Sequence, residues 1–293
     1  MANRLKDYFP LIRERKEVLK EIGSSMALST LFDSWEQERQ EEFLDFCTGV
    51  KGVKILYDSF FKEIMNPEYS PGRLNRFLSL LLGKRVTIKQ VIPNDSTRIA
   101  AEGSLLVTDI VVEFEDGGFS YKNIKNVYTI VLFEKSPAEI KRLENAYIHK
   151  SFWGFDTGLE LNLLQNFIFI ALDIFRKNMD NKSVENELEA WLMFFGSEEP
   201  ERIIELIESY PDFREIYEDI YEICLNMEKV MGMYSKELQE LDRNTVQYMI
   251  DEMQEIINEQ KQTISSQELL IREQKQQYEE LLRRVRDLEN KKG

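Results

Sequence analysis

Asp109 is the residue of this sequence whose type and position most need a chemical explanation. It interrupts the segment GSLLVTDIVVEF, in which Leu, Val and Ile otherwise occupy both faces of a predicted strand. A carboxylate on an apolar strand is costly unless it is paired, hydrogen-bonded or bound to a metal. Asp109 is therefore either a structural hydrogen-bonding residue near a strand end or a metal ligand. Glu113 shares its strand face, because alternate residues of a strand point to the same side.

The two cysteines and the single histidine exclude several kinds of site. Cys47 and Cys224 are too few for a disulfide framework or a four-ligand zinc site, so we expect two buried or half-buried thiols. His149 stands alone, which excludes mechanisms that need paired histidines. It is either a lone base or a structural residue.

The charges of the chain are unevenly distributed, although its net charge is -15. Residues 184–260 hold 5 Lys/Arg and 21 Asp/Glu, whereas residues 51–98 hold 9 Lys/Arg and 4 Asp/Glu. Any phosphate-binding surface is therefore predicted within residues 51–98, and the acidic segment would repel nucleic acid. The alternative is that both segments form ordinary solvated helix faces.

Apolar periodicity predicts helices toward both ends of the chain and strands between them. Helices are predicted over residues 1–48, with a break at Gly23, and over 53–65, 71–82 and 183 onward. Strands are predicted over 85–92, 105–114, 126–134 and 166–174, with 126–134 central because it is apolar on both faces. Only residues 116–126 connect the second and third strands, so this join is either a tight crossover or an antiparallel hairpin.

The C-terminal residues carry a seven-residue repeat that is typical of a coiled coil. Apolar side chains recur at Ile250, Ile257, Ile264, Ile271, Tyr278 and Val285. This unbroken column predicts a homo-oligomer through the coiled coil, with a single exposed helix as the alternative. The start of the chain has no apolar leader, and its most apolar stretch, residues 159–175, is too polar to cross a bilayer. A cytoplasmic protein with no membrane contact is expected.

Seven stretches spread over the chain resemble the PD-(D/E)XK nuclease family transposases, which belong with the Rpn-type recombination-promoting nucleases. The stretches are LKDYFPLIRERKEVLKEI, EFLDFCTGVKGVKILYDSFFKEIMNPEY, VIPNDSTRIAAEGSLLVTDIVVEFEDG, VYTIVLFEKS, DTGLELNLLQNFIFIALDIF, ICLNMEKVM and LDRNTVQYMIDEMQ. The resemblance implies an α+β fold with a restriction-endonuclease-like core, in which helices flank a small mixed sheet. It also implies a Mg²⁺-dependent DNA endonuclease active in recombination of mobile elements.

The resemblance assigns site residues and also exposes a gap. It implies that Asp109 binds the divalent metal, and we predict Glu113 as a second ligand that reaches the ion through water. Lys62 is a further candidate catalytic residue, with Asp58 and Glu63 beside it, because the resemblance implies that their helix packs near the site. The alternative for Lys62 and Glu63 is an ordinary solvated helix face. The family's next strand carries Glu-x-Gln or Glu-x-Lys, and that strand with its basic helix is missing after Gly117.

We therefore predict a family member with impaired catalysis, since a single carboxylate holds Mg²⁺ poorly. One alternative is an active nuclease in which Glu113, Glu115 or Glu134 replaces the missing ligand. Another is a non-enzymatic coiled-coil interaction protein. Four segments are predicted: an N-terminal helical segment (1–50), a shortened nuclease-like core (51–182), an acidic helical region (183–244) and a coiled coil (245–290).

Overall fold

The computed structural model describes most of the chain, which separates into two compact units, residues 1–239 and 240–293. The described residues are 4–92, 105–106, 111–114, 127–143, 145–151, 165–180 and 182–241, with positions 257, 260, 261, 264 and 267. The four-segment division predicted from the sequence stays a prediction.

The first unit has a mixed α+β fold, as predicted. Its strands are β1 (Ile88–Ile92), β2 (Leu105–Leu106), β3 (Val111–Phe114), β4 (Val127–Phe133), β5 (Ile148–Lys150) and β6 (Gln165–Ala171). β4 and β6 are parallel and form the middle of a sheet with the order β2-β4-β6-β5, while β1 and β3 form a separate antiparallel pair. The central position predicted for β4 is confirmed.

Helices precede and follow the strands. Before them lie α1 (Arg4–Tyr8), α2 (Arg15–Ser24), α3 (Met26–Asp33), α4 (Gln37–Cys47), α5 (Asp58–Ile64) and α6 (Pro71–Leu82). Among and after them lie α7 (Ala138–Lys141), α8 (Leu172–Asn178), α9 (Glu187–Gly196), α10 (Pro200–Ser209), α11 (Asp212–Leu225) and a further helix, α12, which begins at Met227 and continues through the last residue of the first unit.

The described parts of the strand predicted over 105–114 are β2 and β3, which lie in different sheets, and the form of the join stays a prediction because β3, the strand before it, pairs with β1. Leu105 pairs with Phe133 and Leu106 with Leu132, so β2 runs antiparallel to β4. The joining residues 116–126 themselves lie outside the described part of the chain.

Two predicted elements have different bounds in the structure. The helix predicted over 53–65 begins only at Asp58, because the chain before it turns at residues 55 and 56, and the Gly52 N–H donates a bond to the Glu198 carbonyl at 2.7 Å. The strand predicted over 166–174 ends at Ala171, where α8 begins. By contrast, α6 begins at Pro71 and ends at Gly83 as predicted, since Gly83 adopts the left-handed conformation with φ 66.

Aromatic side chains fill the helical part of the core around Tyr234 on α12. Tyr234 is fully buried, and its ring contacts those of Trp35, Phe43, Phe46 and Tyr57 at centroid distances of 5.1 to 6.0 Å. Such tilted and edge-on ring pairs each add about 0.5–1.5 kcal/mol to the gain from burial. This cluster brings helices from both ends of the sequence together.

The second unit is described at residues 240 and 241 and at five later positions, all of them helical, and the five later positions are exposed. Two of these positions, Ile257 and Ile264, belong to the predicted heptad column, and they are 43% and 55% exposed. Isoleucines on a solvent-facing helix favour a partner that covers them. Assembly through a coiled coil stays a prediction.

Candidate active site

The strand beside the Asp109-bearing segment contains no carboxylate. β4 pairs with β2, four residues before Asp109 in the chain, and its sequence is VYTIVLF. The other strands are equally poor in carboxylates, and Glu113 on β3 is the single Asp or Glu among the strand residues that the structure describes. The described strand residues therefore do not include the pair of carboxylates that a nuclease metal centre requires.

The structure describes the two predicted metal ligands, Asp109 and Glu113, to different extents. Asp109 lies outside the described residues. The backbone of Glu113 lies in β3, where it pairs with Gln90 of β1. Residues four apart on an extended strand are separated by about 13 Å. That distance argues against direct sharing of one ion, because a carboxylate oxygen must approach Mg²⁺ to about 2.1 Å.

Lys62 makes a local ion pair on α5. Its ammonium lies 2.8 Å from the Asp58 carboxylate, one helical turn away, and both side chains are well exposed. Glu63 pairs with Lys229 of α12 at 2.5 Å. These contacts match the ordinary helix-face role, and a catalytic role for Lys62 stays a prediction.

A buried carboxylate from a distant part of the chain positions α5. Glu237 of α12 is only 4% exposed, and it accepts bonds from the backbone N–H groups of Asp58 and Ser59 at 3.1 and 2.7 Å. The Ser59 hydroxyl donates a third bond at 2.6 Å. Glu237 therefore satisfies the free N–H groups at the start of α5 and favours the helix dipole. One Asp58 carboxylate oxygen is buried without a partner in the described structure.

Glu134, one of the proposed substitute ligands, follows β4 directly and is already paired. Its carboxylate lies 2.6 Å from the Lys54 ammonium, and the two side chains are 19% and 21% exposed. Burial raises the pKa of nearby Glu198, an effect that Lys54 opposes and Glu134 reinforces. Lys54 thus already supplies the positive charge that these two carboxylates need.

Gly52 brings the Lys54 segment close to the start of α10. A Cβ atom at this position would lie 2.5 Å from the Cδ1 atom of Ile203 and 3.2 Å from the Glu198 carbonyl oxygen. Only glycine therefore permits the close approach that places Lys54 beside Glu134 and Glu198.

The sequence did not single out Asp173, which binds the end of β4 to the start of α8. Its carboxylate accepts a bond from the Ser136 N–H at 2.9 Å and another from the Ser136 hydroxyl. The sequence feature that could have indicated Asp173 is an acid that closely follows an apolar strand. Such a position lies at the edge of the sheet where parallel strands end and where ligands commonly bind. Because the carboxylate is occupied by Ser136, its role in the structure is to hold β4 against α8.

Several cations of residues 51–98 pair with acids from elsewhere in the fold. Arg73 pairs with Asp219, and Arg76 pairs with Glu187 and with Asp212. These three acids belong to the acidic segment 184–260. Basic residues of 51–98 and acidic residues of 184–260 therefore partly neutralise each other. This pairing reduces the positive charge that remains for a phosphate-binding surface.

The two cysteines and the single histidine are the remaining candidates from the sequence, and all three lie in the folded unit. Cys47 and Cys224 are buried free thiols, as predicted. The Nε2 atom of His149 on β5 is buried and has no hydrogen-bond partner in the described structure. No helix in the described residues has the length and apolar character needed to cross a membrane.

The described residues do not by themselves fit a Mg²⁺ centre. No group of three or more His, Cys, Asp or Glu side chains with metal-binding geometry occurs among them. The two most suitable acids near the strand ends, Glu134 and Asp173, accept bonds from protein donors instead. The side chains of both predicted ligands, Asp109 and Glu113, lie outside the described part of the chain, so these observations do not reach them.

Comparison with known proteins identifies the family. Residues 105–248 match the family model described as PD-(D/E)XK nuclease family transposase. This chain belongs to that family over the matched residues. No curated protein and no solved structure matches the chain significantly. The match begins at β2 and includes Asp109, β4, β6 and the acidic helices, so the PD-(D/E)XK resemblance is confirmed for the part of the chain that carries the candidate site.

Proposed function

We propose that this chain is a cytoplasmic PD-(D/E)XK transposase-like protein with impaired nuclease chemistry. The observation that supports this proposal is that β4, the strand that pairs with β2, has no carboxylate along its length. Family members of this kind generally use a divalent metal. A Mg²⁺ ion that meets a single carboxylate keeps most of its waters and binds weakly.

The nearest acid beyond β4 does not remove this deficit. Glu134 would have to leave Lys54 before it could bind a metal ion, and the ion would then lie close to the displaced ammonium. Both the lost ion pair and the repulsion between two cations oppose metal binding. The Lys54–Glu134 pair therefore supports impaired catalysis over substitution by Glu134.

DNA binding, if it follows the family, is expected to be weak and to use residues 51–98. Lys51 and Arg85 are exposed cations of this segment without an ion pair among the described residues, whereas Lys54, Lys62, Arg73 and Arg76 are paired. Few free cations mean few phosphate contacts and a shallow dependence of affinity on salt. We further propose that residues 245–290 make the protein a homo-oligomer.

A plasmid-cleavage assay tests the proposal. Purified full chain is incubated with supercoiled plasmid and Mg²⁺ or Mn²⁺, beside Asp109→Ala and the control Glu68→Ala, which removes an exposed acid. All three proteins are expected to give the same background of nicked plasmid. Metal-dependent nicking that Asp109→Ala abolishes and Glu68→Ala retains would contradict the proposal.

An active nuclease with a substitute ligand is a second candidate function, and Glu113 favours it as the one carboxylate in the described strands. Thermal unfolding in millimolar Mg²⁺ distinguishes the two functions, since a metal that binds the folded state raises the melting temperature. A rise that both Asp109→Ala and Glu113→Gln remove would establish the active form. Glu115 and Glu134 are tested in the same way.

A non-enzymatic interaction protein is a third candidate, favoured by the ion pairs that occupy the cations of residues 51–98. Here the coiled coil would be the functional element and the folded unit would serve as its head. Measurement of DNA binding over a range of salt concentrations tests it. Salt-dependent binding that weakens in Lys51→Glu/Arg85→Glu contradicts this candidate, whereas its complete absence supports it.

A further inference from the structure

An open groove of about 1060 Å³ crosses the helical side of the first unit, away from the strands. One wall is the α2–α3 junction around Ser25, and the other is the C-terminal end of α11. The turn between α5 and α6, around Tyr69, closes one end. A volume of this size is at the upper end of the usual range for ligand sites, which is about 300–1,000 Å³.

The groove is acidic. Its charged lining residues are Glu21, Glu63, Asp219, Glu222, Glu228, Arg73 and Lys229. Both cations are already used within the lining, because Arg73 pairs with Asp219 and Lys229 with Glu63. The lining therefore presents uncompensated negative charge to anything that enters.

Two carboxylates are the source of that charge. Glu222, near the end of α11, and Glu228, near the start of α12, are exposed and lack an ion-pair partner in the part of the chain that the structure describes. Glu21 differs from them because it pairs with Arg13 behind the groove. A cation brought by a ligand would thus meet Glu222 and Glu228 without breaking an existing pair.

Apolar side chains lie between the charged ones. Ile64 and Met227 are buried below the groove, and Tyr69 and Leu225 are 76% and 37% exposed at its edge. An exposed apolar patch surrounded by polar residues is characteristic of a surface that binds another protein. Tyrosine is also among the residues that contribute most to such interfaces.

We propose that this groove binds a basic, amphipathic peptide segment of another protein. Leucine-like side chains of the segment would cover Tyr69 and Leu225, while its lysines or arginines would face Glu222 and Glu228. A nucleic acid is disfavoured because its phosphates would meet the same carboxylates. This partner site is separate from the strands that carry the candidate nuclease residues, and it does not depend on whether cleavage occurs.

Fluorescence anisotropy tests the proposal with the full chain. The probe is a labelled 14-residue helical peptide of leucine and lysine, and the comparison peptide has glutamate in place of every lysine. We expect the lysine peptide to bind and the glutamate peptide to bind at least tenfold more weakly. Raising the salt concentration should weaken binding of the lysine peptide, because the charged groups are exposed.

Matched variants locate the binding. Glu222→Lys/Glu228→Lys reverses the two groove charges, and Glu38→Lys/Glu215→Lys makes the same change at exposed acids outside the groove. The groove variant is expected to lose at least tenfold in affinity, and the control variant less than threefold. Tyr69→Ser is expected to weaken binding severalfold, whereas Leu143→Ser, at another exposed apolar site, should leave it unchanged.

Three results would overturn the proposal. The first is equal loss of affinity in the two charge-reversal variants, which would mean general attraction to an acidic protein. The second is equal binding of the lysine and glutamate peptides. The third is a change of oligomeric state in sedimentation for Glu222→Lys/Glu228→Lys alone, without peptide, which would assign the groove to a second copy of this chain.

Discussion

Carboxylates are used differently in the helical body and in the sheet. In the helical body Glu237 accepts three hydrogen bonds from Asp58 and Ser59, and Glu42 accepts three from Tyr57, Tyr234 and Arg39. In the sheet a single carboxylate, Glu113, occurs among the described strand residues. The carboxylates of the helical body accept hydrogen bonds that stabilise the fold. The described strands, where a metal site would need acids, hold few.

This difference shows why an acidic composition does not by itself make a metal site. A carboxylate that already accepts bonds from N–H and O–H donors must give them up before it binds an ion, and each lost bond leaves a buried donor unsatisfied. A metal centre needs carboxylates that converge while their oxygens remain free. Glu237 is buried and Glu42 is half-buried, but the oxygens of both are occupied, and neither meets that condition.

Removing Glu237 is expected to have the largest effect on stability. Glu237→Ala leaves two N–H groups and a hydroxyl without their buried partner, which should lower the free energy of unfolding by about 3 kcal/mol. Urea unfolding measures the change, with Glu228→Ala as an exposed control that should change it by less than about 0.5 kcal/mol. Equal effects in the two variants would mean that Glu237 is not the structural acid described here.

Glu42 should have a smaller effect that depends on pH. Burial raises the pKa of Glu42, but hydrogen bonds from Tyr57, Tyr234 and Arg39 outweigh burial and hold it below the usual 4.5. The ionised form is therefore favoured in the folded state, so its contribution is present above pH 4.5 and is lost as the pH falls below it.

Unfolding of Glu42→Gln at several pH values checks this account. At pH 7 the variant is expected to be less stable by about 1–2 kcal/mol. The difference from the unmodified protein should shrink as the pH falls below 4.5. A difference that stays constant down to pH 3 would show that the negative charge of Glu42 contributes nothing.

Breaking the Lys54–Glu134 pair tests the boundary between the two regions. Lys54→Met leaves a largely buried carboxylate without its partner and should cost about 1–2 kcal/mol at pH 7. It also removes the cation that opposes the raised pKa of Glu198, a shift caused first by burial. Since a raised carboxyl pKa makes the ionised form unfavourable in the folded state, the loss should grow as the pH rises above 4.5.

A double-mutant cycle with Glu134→Gln isolates the coupling between Lys54 and Glu134. The double variant is expected to lose less stability than the sum of the single losses, because the second change removes the stranded charge. Additive losses would mean that the pair contributes no interaction energy.

The smallest effect is expected on the exposed face of α5. Lys62→Met removes an ion pair with Asp58 whose members are 45% and 36% exposed, so the free energy of unfolding should change by less than about 0.5 kcal/mol. Urea unfolding and the plasmid assay check it together. A large loss of metal-dependent cleavage with unchanged stability would give Lys62 the catalytic role that its surroundings do not indicate.

The sequence predicted the elements whose signals are local. Pro71 and Gly83 mark the ends of α6 because a proline suits the first turn and a glycine the left-handed end. The apolar run of β4 predicted a central strand. The break predicted at Gly196 is confirmed as the end of α9, which begins at Glu187. These features depend on residues close together in the chain.

Features that depend on distant partners were beyond a single sequence. The start of α5 is set by Glu237, almost 180 residues later, and the charge of Arg73 is neutralised by Asp219. β5 is only three residues long, Ile148–Lys150, and its pairing with β6 gives no periodic pattern to recognise. For the candidate site, the sequence predicted a missing motif, which stays a prediction, but it did not indicate that Lys54 pairs with the acid that follows β4.

Calorimetric titration of the full chain with Mg²⁺ tests the central claim most directly, because it measures metal binding without requiring DNA or catalysis. The account predicts no saturable site at millimolar Mg²⁺, and no difference between the unmodified protein and Asp109→Ala. A stoichiometric site that Asp109→Ala removes would contradict it, since a second group must then share the ion with Asp109.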